Sequence, residues 1–321
     1  MKAIQVHQFG GPEVLKVCDV EVPQLHNEEV LVRVKAAGVN PYDTYMRSGG
    51  YGARNPALPY TPGSDAAGTV EALGAGTNQL KIGARVCTTG TLSGAYAEFA
   101  LCKIDQVHPL PDHTTFSQGA GIYVPYATAY RALFQLAQGK PGETVLVHGA
   151  SGGVGIAAIQ WARAAGLKVI GTAGTGEGLQ LIRDQGAEHA FRHDSADYQE
   201  NIRGVATGSG INVILEMLAN VNLSHDLNMI ARRGRVVVIG SRGEVQINPR
   251  DIMTREATVM GVLIWLTPTA DAAEIFAAID AGLRNGTLHP VIGTELPLAD
   301  AVGAHRQVMA PGASGKIVLT L

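Results

Sequence analysis

The strongest constraint on this chain lies in one stretch, Thr144-Val-Leu-Val-His-Gly-Ala-Ser-Gly-Gly-Val-Gly-Ile-Ala-Ala-Ile-Gln-Trp-Ala-Arg, where a short apolar run meets a glycine cluster and then an alanine-rich segment. That order of residue types predicts strand, tight turn and helix. Ala150, Gly152 and Gly155 have the spacing of a dinucleotide-binding turn: the small first residue permits the bend, the central glycine lets backbone approach a pyrophosphate, and the third lets helix pack on strand. The amides that open such a helix lack intrahelical partners, so they offer donors and partial positive charge to an anion. Ser151, Gly152, Gly153 and Val154 are the residues expected to wrap the phosphates.

Glycine makes up 40 of 321 residues, so the pattern needs its surroundings. They agree with it: a second strand candidate, Lys168-Val-Ile-Gly-Thr-Ala, arrives after Gly166 ends the helix, which completes a βαβ unit. An NAD-selective site usually carries an acidic residue at the end of this second strand, about 20 residues beyond the first motif position, to hold the ribose 2′-hydroxyl. Here the neighbourhood is Gly171-Thr-Ala-Gly-Thr-Gly, neutral and small. Without a carboxylate to repel a 2′-phosphate, NADPH is the expected cofactor.

Length and an apolar fraction of 46% allow two cores, so two domains are expected. Twenty-five basic residues against 28 acidic ones leave no broad footprint for nucleic acid or an anionic membrane. The three cysteines, Cys18, Cys87 and Cys102, have no paired spacing of a zinc knuckle or disulfide framework. The first residues alternate like a strand, without an apolar run of signal-peptide length, and no run approaches a bilayer span. A cytoplasmic protein is the resulting expectation.

From Met1 to about Ile122 the segments are short, alternating and punctuated by glycine and proline, as in Glu28-Glu-Val-Leu-Val-Arg-Val-Lys-Ala, where Val30, Val32 and Val34 share a face. Gly38-Val-Asn-Pro interrupts this β-rich region with a short helix, Pro41 in its first turn and Asn40 placed to cap it. Near Tyr123 strand and helix begin to alternate. The strands are expected at Thr144, Lys168 to Ala173, His189 to Arg192, Ile211 to Glu216, Arg235 to Gly240 and Ala257 to Ile264, with a helix over Leu223 to Ala231. Short apolar strands separated by helices predict a parallel sheet covered on both faces. A long helix, Asp271 to Arg284, and a last strand in Gly315-Lys-Ile-Val-Leu-Thr-Leu are expected to rejoin the first domain.

Taken together, Phe9-Gly-Gly-Pro-Glu-Val-Leu, Gly38-Val-Asn-Pro, Pro59-Tyr-Thr-Pro-Gly-Ser-Asp, Val147-His-Gly-Ala-Ser-Gly-Gly-Val-Gly, Glu216-Met-Leu-Ala-Asn-Val-Asn-Leu, Gly240-Ser-Arg-Gly and Asn248-Pro-Arg-Asp make the chain resemble, nearly end to end, the zeta-crystallin-like, zinc-independent quinone oxidoreductases of the medium-chain dehydrogenase/reductase superfamily. The resemblance implies an α/β chain with a GroES-like β-barrel catalytic domain from both chain ends, 1–122 and 267–321, and a Rossmann domain with a doubly wound parallel sheet over 123–266 that binds NADPH. It also implies that zinc is dispensable. Where the superfamily's zinc alcohol dehydrogenases carry their first cysteine ligand this chain has Asn40, and where they carry Gly-His-Glu it has Gly63-Ser64-Asp65. No Lewis acid is then expected to stabilise an alkoxide.

The same resemblance implies Tyr45 against the nicotinamide and Asn40 beside that pocket, with a packed aromatic and a helix cap as their plain structural readings. It points to Gly174 and His193 for the 2′-phosphate, with Arg192 and Lys168 as further cations in range, and to Asn222, Ile239, Gly240, Ser241 and Arg242 for the adenosine and nicotinamide-ribose regions. Val262, Leu263 and Ile264 are expected to present backbone to the carboxamide. Tyr51, Tyr60, Tyr123 and Tyr126 either line the acceptor pocket or fill a core.

The reaction so implied is NADPH-dependent reduction of a quinone, with the protein supplying proximity and exclusion of water. An enone or enoyl reductase is the alternative within the same chemistry, and it must also protonate an α-carbon. A non-catalytic role, structural or RNA-binding, is the alternative outside it, and the mild acidity weighs against nucleic acid as the main partner. Relatives form dimers or tetramers, and the strand expected to end at Ile264 offers an edge for pairing, so a homo-oligomer is expected.

Overall fold

A computed structural model describes residues 1–206, 210–312 and 314–321. The chain forms two compact units: Met1–Val124 with His289–Ala310 and Gly315–Leu321, and Pro125–Leu288 with Pro311–Ser314.

In the first unit, β1 (Lys2–Val6) and β2 (Leu15–Asp19) make an antiparallel pair, and β3 (Glu29–Val39), β4 (Asp65–Leu73), β5 (Arg85–Thr88), β6 (Phe99–Lys103) and β7 (Val107–Pro109) enter a larger sheet. The 11-residue strand β3 is the organiser: Glu29 to Arg33 pair with β6, and Val30 to Gly38 pair with β4. Register shifts at Leu31/Val32 and Val34/Ala36 bend the strand between these partners. The valines expected on one face, Val30, Val32 and Val34, are no more than 2% exposed and join the core with Ile4, Val70, Val86 and Tyr96.

The second unit holds the expected parallel sheet. Its strands are β8 (Thr144–Val147), β9 (Lys168–Ala173), β10 (His189–Arg192), β11 (Ile211–Glu216), β12 (Ile230–Val238) and β13 (Thr258–Gly261), in the order β10-β9-β8-β11-β12-β13. All its pairings are parallel. Helices Gly153–Ala164, Gly176–Asp184, Tyr198–Val205 and Ala219–Met229 connect them. The order reverses beside β8, so the loops after β8 and β11 flank the crevice where ligands of such sheets bind. Two strands then complete the first unit: β14 (Ile292–Pro297) pairs with β15 (Lys316–Thr320), and β15 lies antiparallel to β3.

Several boundaries differ from the sequence reading. The division of units falls after Leu288, not at residue 267, because helix Thr269–Arg284 is tied to the second unit: Arg131 is 3.0 Å from Asp271, and Tyr130 donates to Glu274 at 2.8 Å. The helix expected over Leu223 to Ala231 covers Ala219–Met229 instead, and β12 begins directly at Ile230. Strand β13 stops at Gly261, so Val262, Leu263 and Ile264 lie beyond the sheet, where Ile264 opens a short 3-10 turn to Leu266. An apolar run cannot by itself tell strand from buried coil, which is why the strand appeared longer in the sequence.

Candidate active site

The glycine turn has the geometry its spacing predicts. Gly152 caps the helix Gly153–Ala164 from extended backbone, Ala150 N–H donates to the Thr172 carbonyl at 2.8 Å, and Ile156 N–H donates to the Gly152 carbonyl at 2.9 Å. A Cβ on Gly155 would stand 2.5 Å from Ala150 Cα and 2.6 Å from the Gly149 carbonyl oxygen, so only glycine lets this helix lie so close to its strand. Ser151 is buried, and Val154 sits in the first helical turn behind Gly153.

At the end of β9 the structure brings together Gly174 and His193, as expected. A Cβ on Gly174 would lie 3.0 Å from His193 Nε2, and His193 N–H donates to the Ala173 carbonyl at 3.2 Å. Partial burial of the ring holds His193 below its ordinary pKa against the pull of Asp194, with the His148 and Arg192 charges adding to the lowering. The two further cations do not fit. Arg192 is turned to Asp194, with Nε 2.8 Å from Oδ1. Lys168 opens β9 while Gly174 follows its end, so Lys168 stands at the amino end of the sheet, away from the edge where phosphates bind.

The loop after β12 is fastened to β11. Ile239 and Gly240 N–H groups both donate to the Glu216 carbonyl, at 2.8 and 3.2 Å, and a Cβ on Gly240 would meet the Met217 carbonyl oxygen at 2.5 Å. Arg242 N–H donates to Asn220 Oδ1 at 2.8 Å, while the Ser241 hydroxyl donates to the Gly243 carbonyl at 2.9 Å. Asn222 uses its amide on the Glu216 carboxylate at 3.1 Å. Of the carboxamide candidates, Val262 N–H still donates to the Val238 carbonyl at 3.0 Å, Leu263 is half-buried and Ile264 is buried.

Beneath these loops lies a cluster that the sequence reading missed. His148, Glu216 and Asp226 are buried, with His148 Nε2 2.9 Å from Asp226 Oδ1 and 3.5 Å from Glu216 Oε2. Burial alone would lower the His148 pKa, but the charge and hydrogen bond of Asp226, with Glu216 behind, carry it up to about 9. Glu216 rises to about 7, first through burial and then through Asp226, against the pull of His148. Their donor atoms lie within 4.8 Å of one another, close enough for a cation, yet the short His148 to Asp226 bond marks a cluster that holds protons. Its sequence signal was a charged residue, Glu216, ending a strand directly after the apolar run Val213-Ile-Leu.

In the first unit, Asn40 precedes helix Pro41–Ser48 but spends its side chain elsewhere. Its amide donates to Asp65 Oδ2 at 3.0 Å and its carbonyl accepts from Lys316 Nζ, which also lies 3.2 Å from Asp65. The capping role falls to Asp43, whose carboxylate accepts the Asn40 N–H at 2.8 Å. Tyr45 is half-buried edge-on to Tyr51, their ring centroids 6.4 Å apart. Tyr60 lines a cavity of about 450 Å³ with Tyr42, Asp43, Met46, Ser64 and Leu92. Tyr126 is buried and donates to Gln160 at 2.9 Å, so it belongs to the second unit's core. Tyr123 is buried as well.

Residues 153–280 match the family described as zinc-binding dehydrogenase, and residues 26–112 match the alcohol dehydrogenase GroES-like domain. The quinone oxidoreductase of Homo sapiens is 50% identical over 323 residues, covering 100% of this chain and 98% of the relative. The chain belongs to the quinone oxidoreductases. A solved structure of the Escherichia coli quinone oxidoreductase complexed with NADPH has a TM-score of 0.88 at 30% identity, covering 99% of this chain and 100% of the other. A solved NAD-dependent alcohol dehydrogenase has a TM-score of 0.92 at 28% identity, with 100% of both chains covered.

A quinone oxidoreductase built this way does not fit the zinc of its wider superfamily. Asn40 and Asp65 already share the Lys316 ammonium, and a buried cation there opposes a second one. Burial pushes the Cys102 thiol up to about 12, so it is no thiolate ligand. The nucleotide cofactor does fit: the close approach at Gly155, the glycine at 174 and the neutral end of β9 together leave room for a phosphorylated dinucleotide.

Proposed function

We propose that this chain reduces quinones at the expense of NADPH without a metal ion. The observation that carries the cofactor assignment is the end of β9, where Gly174 and the His193 imidazole occupy the place of an acidic residue. Ala150, Ser151, Gly152, Gly153, Val154 and Gly155 hold the pyrophosphate through the free amides of the helix start. Gly174 and His193 receive the 2′-phosphate. The backbone of Ile239 to Arg242 and of Val262 to Ile264 contacts the nicotinamide half, and Asn222 acts by bracing Glu216 beneath it. When bound, NADPH supplies the reducing equivalents from nicotinamide C4.

The acceptor lies in the cavity of the first unit, whose Tyr42, Tyr60, Met46, Leu92 and proline walls suit a flat, apolar ring. Tyr45 and Asn40 belong to the helix segment that lines this cavity but not to its wall: Tyr45 serves as the aromatic contact of the nicotinamide and Asn40 as an anchor for Lys316. Loss of NADPH absorbance with an ortho-quinone and with a simple enone tests the reading. Faster turnover of the enone, or equal affinity for NADPH and NADH, overturns it.

Homo-oligomer formation belongs to the same reading. Among the described residues β13 closes the six-stranded sheet with β12 as its one partner strand, which leaves an edge open to a second copy. Sedimentation of a monomer at micromolar concentration counts against it.

A further inference from the structure

His148, Glu216 and Asp226 hold four strand ends of the second unit together. His148 directly follows β8, and its Nδ1 lies 3.4 Å from the Thr172 hydroxyl in β9, which also accepts the Gly149 N–H at 3.3 Å. Glu216 ends β11: its carboxylate accepts the Leu218 N–H and the Asn222 amide, and its carbonyl accepts the Ile239 and Gly240 N–H groups beyond β12. Asp226 reaches the cluster from helix Ala219–Met229.

The same three side chains fix a proton count. Glu216 and Asp226 are 0% exposed, and Glu216 Oε2 and Asp226 Oδ2 have no donor among the described residues. His148 Nε2 serves the other Asp226 oxygen, Oδ1, at 2.9 Å. Ionised carboxylates can only accept, so two of them held within 4.8 Å and away from solvent keep one proton between them. With His148 charged, Asp226 ionised and Glu216 protonated, the cluster is neutral. Without the Glu216 proton it carries a buried negative charge.

We propose that this unit binds its nucleotide together with a proton held on Glu216, which acts as a positioning residue for the loops that receive the phosphates. The inference rests on NADPH occupying those loops. Two consequences of losing the proton run the same way. Repulsion from Asp226 pulls on Glu216 and, through it, on the amides of Leu218, Ile239 and Gly240, while negative charge comes to stand beneath a polyanionic ligand. Linkage makes the effect reciprocal, so a bound nucleotide tightens the hold on the proton.

The titration falls in the working range of the protein. Burial, opposed by His148 and aided by Asp226, brings Glu216 to about 7, while His148 stays charged up to about 9. Two further titratable groups sense the cluster. Tyr198, on helix Tyr198–Val205, is held above its ordinary value by burial and then by the Asp226 and Glu216 charges, so it stays neutral here. His193 is held below its own value, by burial first and with the His148 charge among the causes. Arg192 and Asp194 beside it are paired with each other, and His225, next to Asp226 in sequence, is exposed.

Fluorescence titration with NADPH between about pH 6.5 and 8.5 tests the coupling in full-length wild type, Glu216→Gln and His193→Ala, and calorimetry in two buffers of different ionisation enthalpy counts the protons. Wild-type Kd should rise about tenfold over that range, with net proton uptake on binding. His193→Ala should keep the slope, which separates Glu216 from the imidazole at the 2′-phosphate. Glu216→Gln, an isosteric stand-in for the protonated acid, should flatten the slope and bind NADPH more tightly than wild type at the alkaline end, a gain that a merely structural role would not produce. A flat wild-type profile, a slope lost in His193→Ala or a slope kept in Glu216→Gln overturns the coupling, whereas a wild type that binds no NADPH at any pH overturns the cofactor reading itself. If Glu216→Gln does not fold, carbon NMR titration of Glu216 in wild-type protein with and without NADPH decides: a midpoint that does not rise with nucleotide overturns the proposal.

Discussion

Lys316 Nζ stands 3.2 Å from Asp65 Oδ2 with both side chains buried, and its other bond reaches Asn40 across more than half of the sequence. Removing one member of such a pair strands the other charge without water. Lys316→Met should cost about 3–5 kcal/mol in urea denaturation, and adding Asp65→Asn should return part of that. Additive losses would mean that the pair is not coupled.

Gly155→Ala places a methyl 2.5 Å from Ala150 Cα, against backbone that cannot turn aside. We expect a loss of about 1–3 kcal/mol and weaker NADPH binding, read by thermal unfolding and fluorescence titration. Unchanged affinity would separate this turn from the pyrophosphate.

His193→Ala removes the imidazole beside Gly174. Affinity for NADPH should drop by about tenfold and that for NADH should hardly change, since one hydrogen bond to a charged group is at stake. Calorimetry with both nucleotides measures the difference, and equal losses would locate His193 away from the 2′-phosphate.

His148 and Glu216 make stability depend on pH. Each has a folded pKa above its ordinary value, 6.5 rising to about 9 for His148 and 4.5 rising to about 7 for Glu216. Their contributions are therefore full below the ordinary values and are lost as pH climbs through about 7 and then about 9. Asp226→Asn removes the main partner of His148, so the gap between wild type and variant should be largest near pH 6 and shrink by on the order of 3 kcal/mol across the alkaline range. A constant gap in urea midpoints would contradict the shared-proton arrangement.

Much of the second unit was legible because its signals are local: Gly155 closes a turn whose spacing is fixed, and Gly174 follows the short strand Lys168–Ala173, in which Val169 and Ile170 carry the β signal. Boundaries were less legible. Helix Thr269–Arg284 carries an ordinary amphipathic pattern, and only its bonds to Tyr130 and Arg131, far back in the chain, assign it to the second unit. The buried polar clusters were illegible for the same reason. Asn40 looks like a helix cap until Lys316 is placed beside it, and Asp43, Tyr96 and His305 converge from segments with nothing in common in sequence. Lys168 shows the converse, since nearness along the chain suggested a phosphate contact that strand direction forbids.

The position of β15 between β14 and β3 also governs the order in which the protein is made. On the ribosome, the first hundred or so residues emerge long before the strand that must lie against Val39, so their sheet waits open while the parallel-sheet unit is translated whole and closes first. Nascent chains released before Lys316 would carry a finished nucleotide-binding unit on an unfinished partner.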